Sequence, residues 1–143
     1  MAAGTTRAIA YIRSVIPTAN KEHCTEWQAL RIESYCHEHG LGLVGSFVDQ
    51  GVAGAVTERV GLRDALALLA EGQADVLVVV NVSRLTRSVA ALARLTQAHF
   101  GDGTYGLIAL DERLDTRTAH GRFVLGLLGS AARWEAGASR HAQ

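Results

Sequence analysis

The amino-acid sequence predicts one α/β domain in which a mostly parallel central sheet carries helices on both faces. Its 143 residues fit a single domain, which we place at residues 1–143. Short apolar runs alternate with longer segments of helical periodicity, as in α/β proteins. The run at 75–80 has no alternation of polar and apolar residues, so it predicts a strand buried on both faces at the centre of the sheet. With 48% hydrophobic residues, the chain is not intrinsically disordered.

The other elements follow from the same signals. Strands are predicted at 8–13, 43–48 and 105–110, and helices at 23–39, 62–71, 88–100 and 118–138, the last one long and C-terminal. Gly40 and Gly72 are typical residues for ending the first two helices, and Ser88 is suited to begin the third. The segment from Gly51 to Gly61 has no steady period and predicts a loop.

Composition limits the classes of partner and compartment. The 14 Lys and Arg balance 14 Asp and Glu, so the chain is not a uniformly basic nucleic-acid module. All the cations except Lys21 are arginines, which suit paired contacts to phosphate, although an Ala- and Arg-rich genome would give the same bias. Cys24 and Cys36 form no disulfide framework, and neither a signal peptide nor an apolar run of membrane-spanning length is seen. We therefore expect a cytoplasmic protein with no membrane association.

Arginines follow several of the predicted strands at their carboxyl ends, where ligands bind in such sheets. Arg13 follows the first strand, and Asp49 and Arg59 follow the second. Arg84 and Arg87 follow the central strand, three residues apart. Together these arginines would bind a phosphate group and stabilise a charged transition state, whereas singly each would be a solvated surface residue.

Several segments, in this order and spacing, resemble the catalytic domain of the serine recombinases, the resolvase/invertase group. The resemblance covers nearly the whole chain. The matching segments are Ala8–Arg13, Gln28, Gly40–Val44, Phe47–Asp49 with Gly51–Gly54, Arg59–Leu62, Ala74–Val79, Arg84–Ser88, Leu107–Glu112 and Asp115–Arg122.

The resemblance implies a resolvase-like fold and DNA strand exchange with no metal or cofactor. In that family a serine attacks a DNA phosphodiester and becomes linked to the 5′ phosphate, the subunits of a tetramer rotate, and the strands are religated. By matching position, the resemblance implies that four arginines contact the scissile phosphate; they are Arg13, Arg59, Arg84 and Arg87. It also implies that Gln28 and Asp49 support this pocket, and Tyr11 matches the tyrosine of the family's first strand.

The sequence departs from the family pattern at the nucleophile. The family has tyrosine, any residue, arginine, valine, serine, whereas this chain has Tyr11, Ile12, Arg13, Ser14, Val15. Val15 has no lone pair with which to attack phosphorus. Because side chains alternate along a strand, a regular strand would turn Ser14 away from the face that carries Arg13.

Three other departures accompany this one. Ser83 stands where the family has an aspartate before the arginine, and Ala53 stands where it usually has serine. Glu135 is followed by Ala136, where the family has a Glu-Arg pair. Losing the aspartate removes a carboxylate that could orient an arginine or relay a proton.

Two hypotheses remain open from the sequence. In the first, the chain is a degenerate domain that dimerises, or pairs with an active recombinase, and still grips a phosphate. In the second, it is an active strand-exchange enzyme in which a bulge at the end of the first strand brings Ser14 to the phosphate. Ser83 would be a poor nucleophile because no base lies nearby in the sequence.

The last predicted helix has a broad apolar face, which predicts the interface of a homodimer or tetramer. Its candidate contact residues are Phe123, Leu127, Leu128, Ala131 and Trp134. DNA and another recombinase are the other expected partners. No DNA-binding segment follows the helix before Gln143, so we expect none in this chain. Cys36 and His39 have the spacing of one ligand pair, but no second pair exists, so we expect no metal.

Overall fold

A five-stranded sheet forms the middle layer of the molecule. The computed structural model describes residues 5–16, 24–52, 59–85, 89–100, 104–127 and 130. The strands are β1 (Arg7–Ile16), β2 (Gly42–Val52), β3 (Val76–Val79), β4 (Gly106–Ala109) and β5 (Leu114–Asp115). Their order across the sheet is β2-β1-β3-β4-β5. The first four are parallel and β5 is antiparallel to β4.

Helices cover both faces of this sheet. Helix α1 (Thr25–Glu38) packs on one face through Ile32 and Cys36. Helices α2 (Val60–Ala70) and α3 (Val89–His99) pack on the other face. A short 3₁₀ turn at 82–84 follows β3, and helix α4 at 119–127 packs on the α2 side through Val124 and Leu125.

The alternation of β1 separates the two faces of the sheet. Ala8, Ala10 and Ile12 belong to the core beneath α1. Ile9 and Tyr11 belong to the core beneath α2. The side of the sheet that a β1 residue faces therefore follows from whether its number is even or odd.

The predicted α/β fold with a mostly parallel sheet and helices on both faces is confirmed. β3 is buried at every position, as its unbroken apolar run predicts. Gly40 and Gly72 have φ values of +68° and +78°, the left-handed conformation expected just after a helix. Of the last predicted helix, residues 119–127 and 130 are helical and Thr118 forms a bend before them. Its other residues lie outside the described residues, as does Ser88.

The predicted boundaries of β1, β2 and the following loop are wrong. β1 continues past Arg13 to Ile16, and β2 continues to Val52 rather than ending before a loop at Gly51. The two strands extend together because each supplies the backbone partners of the other as far as Ile16 and Val52. The short strand β5 was not predicted, since two residues carry no periodicity.

Candidate functional site

The end of β1 projects beyond its neighbour on one side. β1 pairs with β3 only from Ala8 to Ala10, but it pairs with β2 as far as Ile16. Beyond β3, side chains supply hydrogen bonds to the strand. The carbonyl oxygen of Arg13 accepts one from Gln28 Nε2 at 3.0 Å and one from Arg84 Nη1 at 2.8 Å. These two bonds link α1 and the turn after β3 to the position that carries Arg13.

Tyr11 and Asp49 form a buried pair on the α2 side of the sheet. The Tyr11 hydroxyl donates to Asp49 Oδ2 at 2.8 Å. The same carboxylate accepts backbone N–H bonds at the start of α2, from Gly61 at 2.8 Å and from Leu62 at 3.1 Å. It thereby satisfies amides that a helix start leaves without partners. A Cβ at Gly61 would lie 2.9 Å from Asp49 Oδ1, so glycine permits this close approach.

Two arginines place positive charge near this pair. Burial is the larger cause, and the hydrogen bond to Asp49 the next, of a pKa of the Tyr11 phenol that lies well above its usual value. The charges of Arg59 and Arg13 act in the opposite direction. Both residues belong to this side of the sheet, because Arg59 directly precedes α2 and Arg13 has an odd number in β1. Arg59 immediately precedes α2, so the carboxylate that fixes the start of this helix also fixes the backbone that carries Arg59.

Arg84 is held by a network of side chains that was not among the residues predicted from the sequence. Its Nε donates to Asn81 Oδ1 at 3.3 Å, and Asn81 Nδ2 donates to Asp111 Oδ2 at 3.1 Å. Asp111 Oδ1 accepts from Arg31 Nη1 at 2.6 Å. Asn81 and Asp111 both follow strands at the edge where ligands bind in such sheets. Their positions along the chain were thus a usable signal, whereas their pairing required the structure.

The electrostatics of this network favour an ionised Asp111. Burial alone would raise the pKa of the Asp111 carboxyl, but the hydrogen bonds from Arg31 and Asn81 outweigh it and lower that pKa. The charge of Arg84 acts in the same direction. The neighbouring Glu112 accepts a bond from the backbone N–H of Val82 at 3.2 Å, which ties a second carboxylate to the same turn.

Ser14 lies on the other face of the sheet. Ser14 is 3% exposed, and its hydroxyl shares a hydrogen bond of 3.3 Å with the hydroxyl of Thr25 at the start of α1. Thr25 also accepts a bond of 3.4 Å from Gln50 Nε2. The pairing of β1 with β2 is regular from Ile9 to Ile16, and its one register shift lies between Ala8 and Ile9.

Most of the predicted site residues lie around the end of β1. Tyr11, Asp49 and Arg59 are on the α2 side of the sheet. Gln28 and Arg84 both bond the carbonyl of Arg13. Ser14 faces α1, the helix that also carries Gln28. Arg87 lies outside the described residues, as do Ala53 and Glu135. The arginines around the end of β1 can hold an anion at the carboxyl end of the sheet.

The described part of the chain contains no group of three or more His, Cys, Asp or Glu residues able to hold a metal ion. Cys36 is buried, and the ring of His39 stacks on Tyr35 with 4.0 Å between ring centroids. Among the helices that the structure describes, none is long and apolar enough to cross a membrane.

The start of α4 exposes part of its apolar face. Phe123 is 64% exposed and Leu127 is 54% exposed, whereas Val124 and Leu125 are partly buried against the core. Leu128, Ala131 and Trp134, the other predicted interface residues, lie outside the described residues.

Comparison with known proteins identifies the family. Three solved structures with similar folds are the N-terminal catalytic domain of TP901-1 integrase, a resolvase family site-specific recombinase from Streptococcus pneumoniae, and the C-terminal catalytic domain of ISC1926 TnpA, an IS607-like serine recombinase. The first has a TM-score of 0.83 at 24% identity, covering 94% of this chain and 99% of the other. The second has a TM-score of 0.76 at 18% identity, and the match covers 96% of this chain and 94% of the other. The third has a TM-score of 0.56 at 22% identity, and the match covers 73% of this chain and 67% of the other.

No relative among curated proteins matches the chain. The sequence model of the resolvase N-terminal domain, however, matches residues 8–143, which is almost the whole length. The chain therefore belongs to the resolvase family, the serine recombinases of site-specific recombination.

Proposed function

We propose that this domain takes part in site-specific recombination by gripping a DNA phosphate and dimerising, without forming a phosphoserine link of its own. The observation that carries this proposal is the position of Ser14. Its hydroxyl is buried beneath α1 and bonded to Thr25, whereas Tyr11, Asp49 and Arg59 lie on the α2 side. The position that holds the nucleophile in the family is Val15.

The chemistry of strand cleavage supports this reading. A serine nucleophile must reach phosphorus and lose its proton to a base, but the described contact of Ser14 is another neutral hydroxyl. Moving Ser14 to the other face would require a one-residue slip or a bulge, and either would disturb the regular pairing between Ile9 and Ile16. A slip would also move Tyr11 away from Asp49.

A covalent-adduct assay tests the missing nucleophile. The wild-type chain, Ser14→Ala and the double variant Ser14→Val with Val15→Ser are incubated with a pool of random-sequence duplexes, and DNA-linked peptides are identified by mass spectrometry. We expect no linkage through Ser14 in the wild-type chain. The double variant restores the family order and is the matched comparison. A wild-type adduct on Ser14 that disappears in Ser14→Ala would establish the alternative, an active enzyme.

Phosphate binding is tested separately, by measuring how the affinity for DNA depends on salt concentration. Each phosphate contact contributes about 0.9 to the slope of log affinity against log salt for duplex DNA. Arg59→Gln should lower affinity and reduce this slope by about one contact. Arg63→Gln removes an exposed arginine from the next turn of α2 and serves as the control. Equal losses in the two variants would indicate general charge attraction and contradict a specific grip.

Dimerisation through α4 is supported by the exposure of Phe123 and Leu127. Leu127→Asp should weaken self-association, measured by sedimentation equilibrium, because a dimer interface would bury the new charge. Leu30→Asp on α1 is the control, since Leu30 is 62% exposed against 54% for Leu127. A wild-type chain that stays monomeric at high concentration would contradict this part of the proposal.

A further inference from the structure

The guanidinium of Arg84 is oriented from two directions. Its Nη1 bonds the Arg13 carbonyl at 2.8 Å, and its Nε bonds Asn81 Oδ1 at 3.3 Å. The first bond points toward the end of β1 and the second toward the exit of β3. Two separate donors of one planar group then fix both its position and the direction in which its plane faces.

The side chain of Asn81 is itself held by its surroundings. Asn81 Oδ1 also accepts from the Ser83 hydroxyl at 2.5 Å, while Nδ2 donates to Asp111. Ser83 stands where the serine recombinase family has an aspartate. The serine hydroxyl therefore contacts the asparagine, and the carboxylate in this cluster comes from Asp111.

We propose that Asp111, acting through Asn81, is a positioning residue for Arg84 and takes over the support that a carboxylate at position 83 would give. This inference rests on the proposed grip on phosphate, because it concerns how one gripping arginine is held. Asp111 is anchored on its other side by Arg31 at 2.6 Å. The Arg31 guanidinium lies 5.1 Å from the centre of the Trp27 ring, which fixes the far end of the chain of contacts.

The direction in which Asp111→Ala changes the affinity for phosphate distinguishes a positioning role from a simple charge effect. Removing a carboxylate near an anion site strengthens anion binding if charge alone matters. If Asp111 positions Arg84, Asp111→Ala should instead weaken binding, by about three- to tenfold for a hydrogen-bond network of this size. Asp111→Asn keeps an acceptor oxygen for Asn81 and should stay within about twofold of wild type.

The experiment measures the affinity for inorganic phosphate by NMR titration, together with the solvent-exchange rate of the Arg84 Nε–Hε group without phosphate. Asp75→Ala is the matched control: Asp75 is 44% exposed and paired with Arg7, and Asp111 is 45% exposed and paired with Arg31. We expect Asp111→Ala to weaken phosphate binding and speed this exchange, while Asp75→Ala changes neither.

Unchanged or tighter binding in Asp111→Ala, with Arg84→Gln still abolishing it, would overturn the positioning role and leave the proposed function intact. If the wild-type chain binds no phosphate, the proposed grip fails, and the exchange rate decides the positioning role by itself. An Arg84 Nε–Hε exchange rate that Asp111→Ala and Asn81→Ala leave unchanged would overturn it.

Discussion

Replacing Asp49 by alanine should damage the fold as well as the site. The carboxylate accepts three hydrogen bonds, from Tyr11 and from the backbone N–H groups of Gly61 and Leu62. Asp49 is 7% exposed and Tyr11 is fully buried, so water cannot easily replace the lost acceptor. Asp49→Ala therefore leaves a buried hydroxyl and the start of α2 without their partner.

The size of the effect follows from these contacts. Each buried donor left without an acceptor costs about 1–3 kcal/mol, and loss of a helix cap costs about 1 kcal/mol. Allowing for water near the partly buried Gly61 amide, we expect Asp49→Ala to lower the free energy of unfolding by about 3–5 kcal/mol. Tyr11→Phe removes only one bond to a charged acceptor and should cost about 1.5–3 kcal/mol.

Urea unfolding of both single variants and of the double variant measures these losses in the free energy of unfolding. In the Asp49→Ala background, Tyr11→Phe should cost close to nothing, because the hydroxyl no longer has its carboxylate. Asp75→Ala is the control, since an exposed ion pair contributes about 0–1 kcal/mol. If Asp49→Ala destabilises the protein no more than Asp75→Ala, or if the Tyr11 and Asp49 effects are additive, the reasoning is refuted.

Two further predictions concern pH and helix α4. Because the folded state raises the pKa of Tyr11, its contribution to stability is complete below pH ~10 and is lost as pH rises toward the folded-state pKa. Tyr11→Phe should therefore flatten the alkaline fall in unfolding free energy more than Tyr35→Phe does; equal slopes would contradict this. Gly121→Ala should cost about 2–3 kcal/mol, because its Cβ would collide with the backbone carbonyl of Asp115. Gly126→Ala, with no described atom within 4 Å, should instead stabilise the helix by about 0.5–1 kcal/mol in thermal unfolding, and equal effects of the two substitutions would contradict the packing.

The sequence predicts the order of the first four strands and of the helices along the chain, because each of these elements has a strong local signal. β3 is an unbroken apolar run, and Gly40 and Gly72 mark helix ends through the conformation they adopt. The end of β2 could not be predicted, because Asp49 and Gln50 interrupt the apolar pattern. It is the pairing with β1, and not a local preference, that keeps those residues in the strand.

Local patterns in the sequence also predicted part of the site. Arg13, Asp49 and Arg84 could be located because the carboxyl ends of parallel strands lie at one edge of the sheet, although Arg13 and Asp49 lie within the last four residues of β1 and β2 and not after them. Alternation along β1 also predicts that Ser14 and Arg13 face opposite sides. The hydrogen bond that joins Asn81 to Asp111 connects residues 30 positions apart, which no local pattern encodes.

A crystal structure of the protein with bound sulfate tests the central claim most directly. We expect Arg13, Arg59 and Arg84 to hold the sulfate, with Ser14 Oγ still bonded to Thr25 on the other face of the sheet and out of reach of the ion. Sulfate bound by the arginines with Ser14 Oγ within roughly 3–4 Å of it, a near-attack distance, would contradict the proposed absence of a nucleophile and identify Ser14 as a working one.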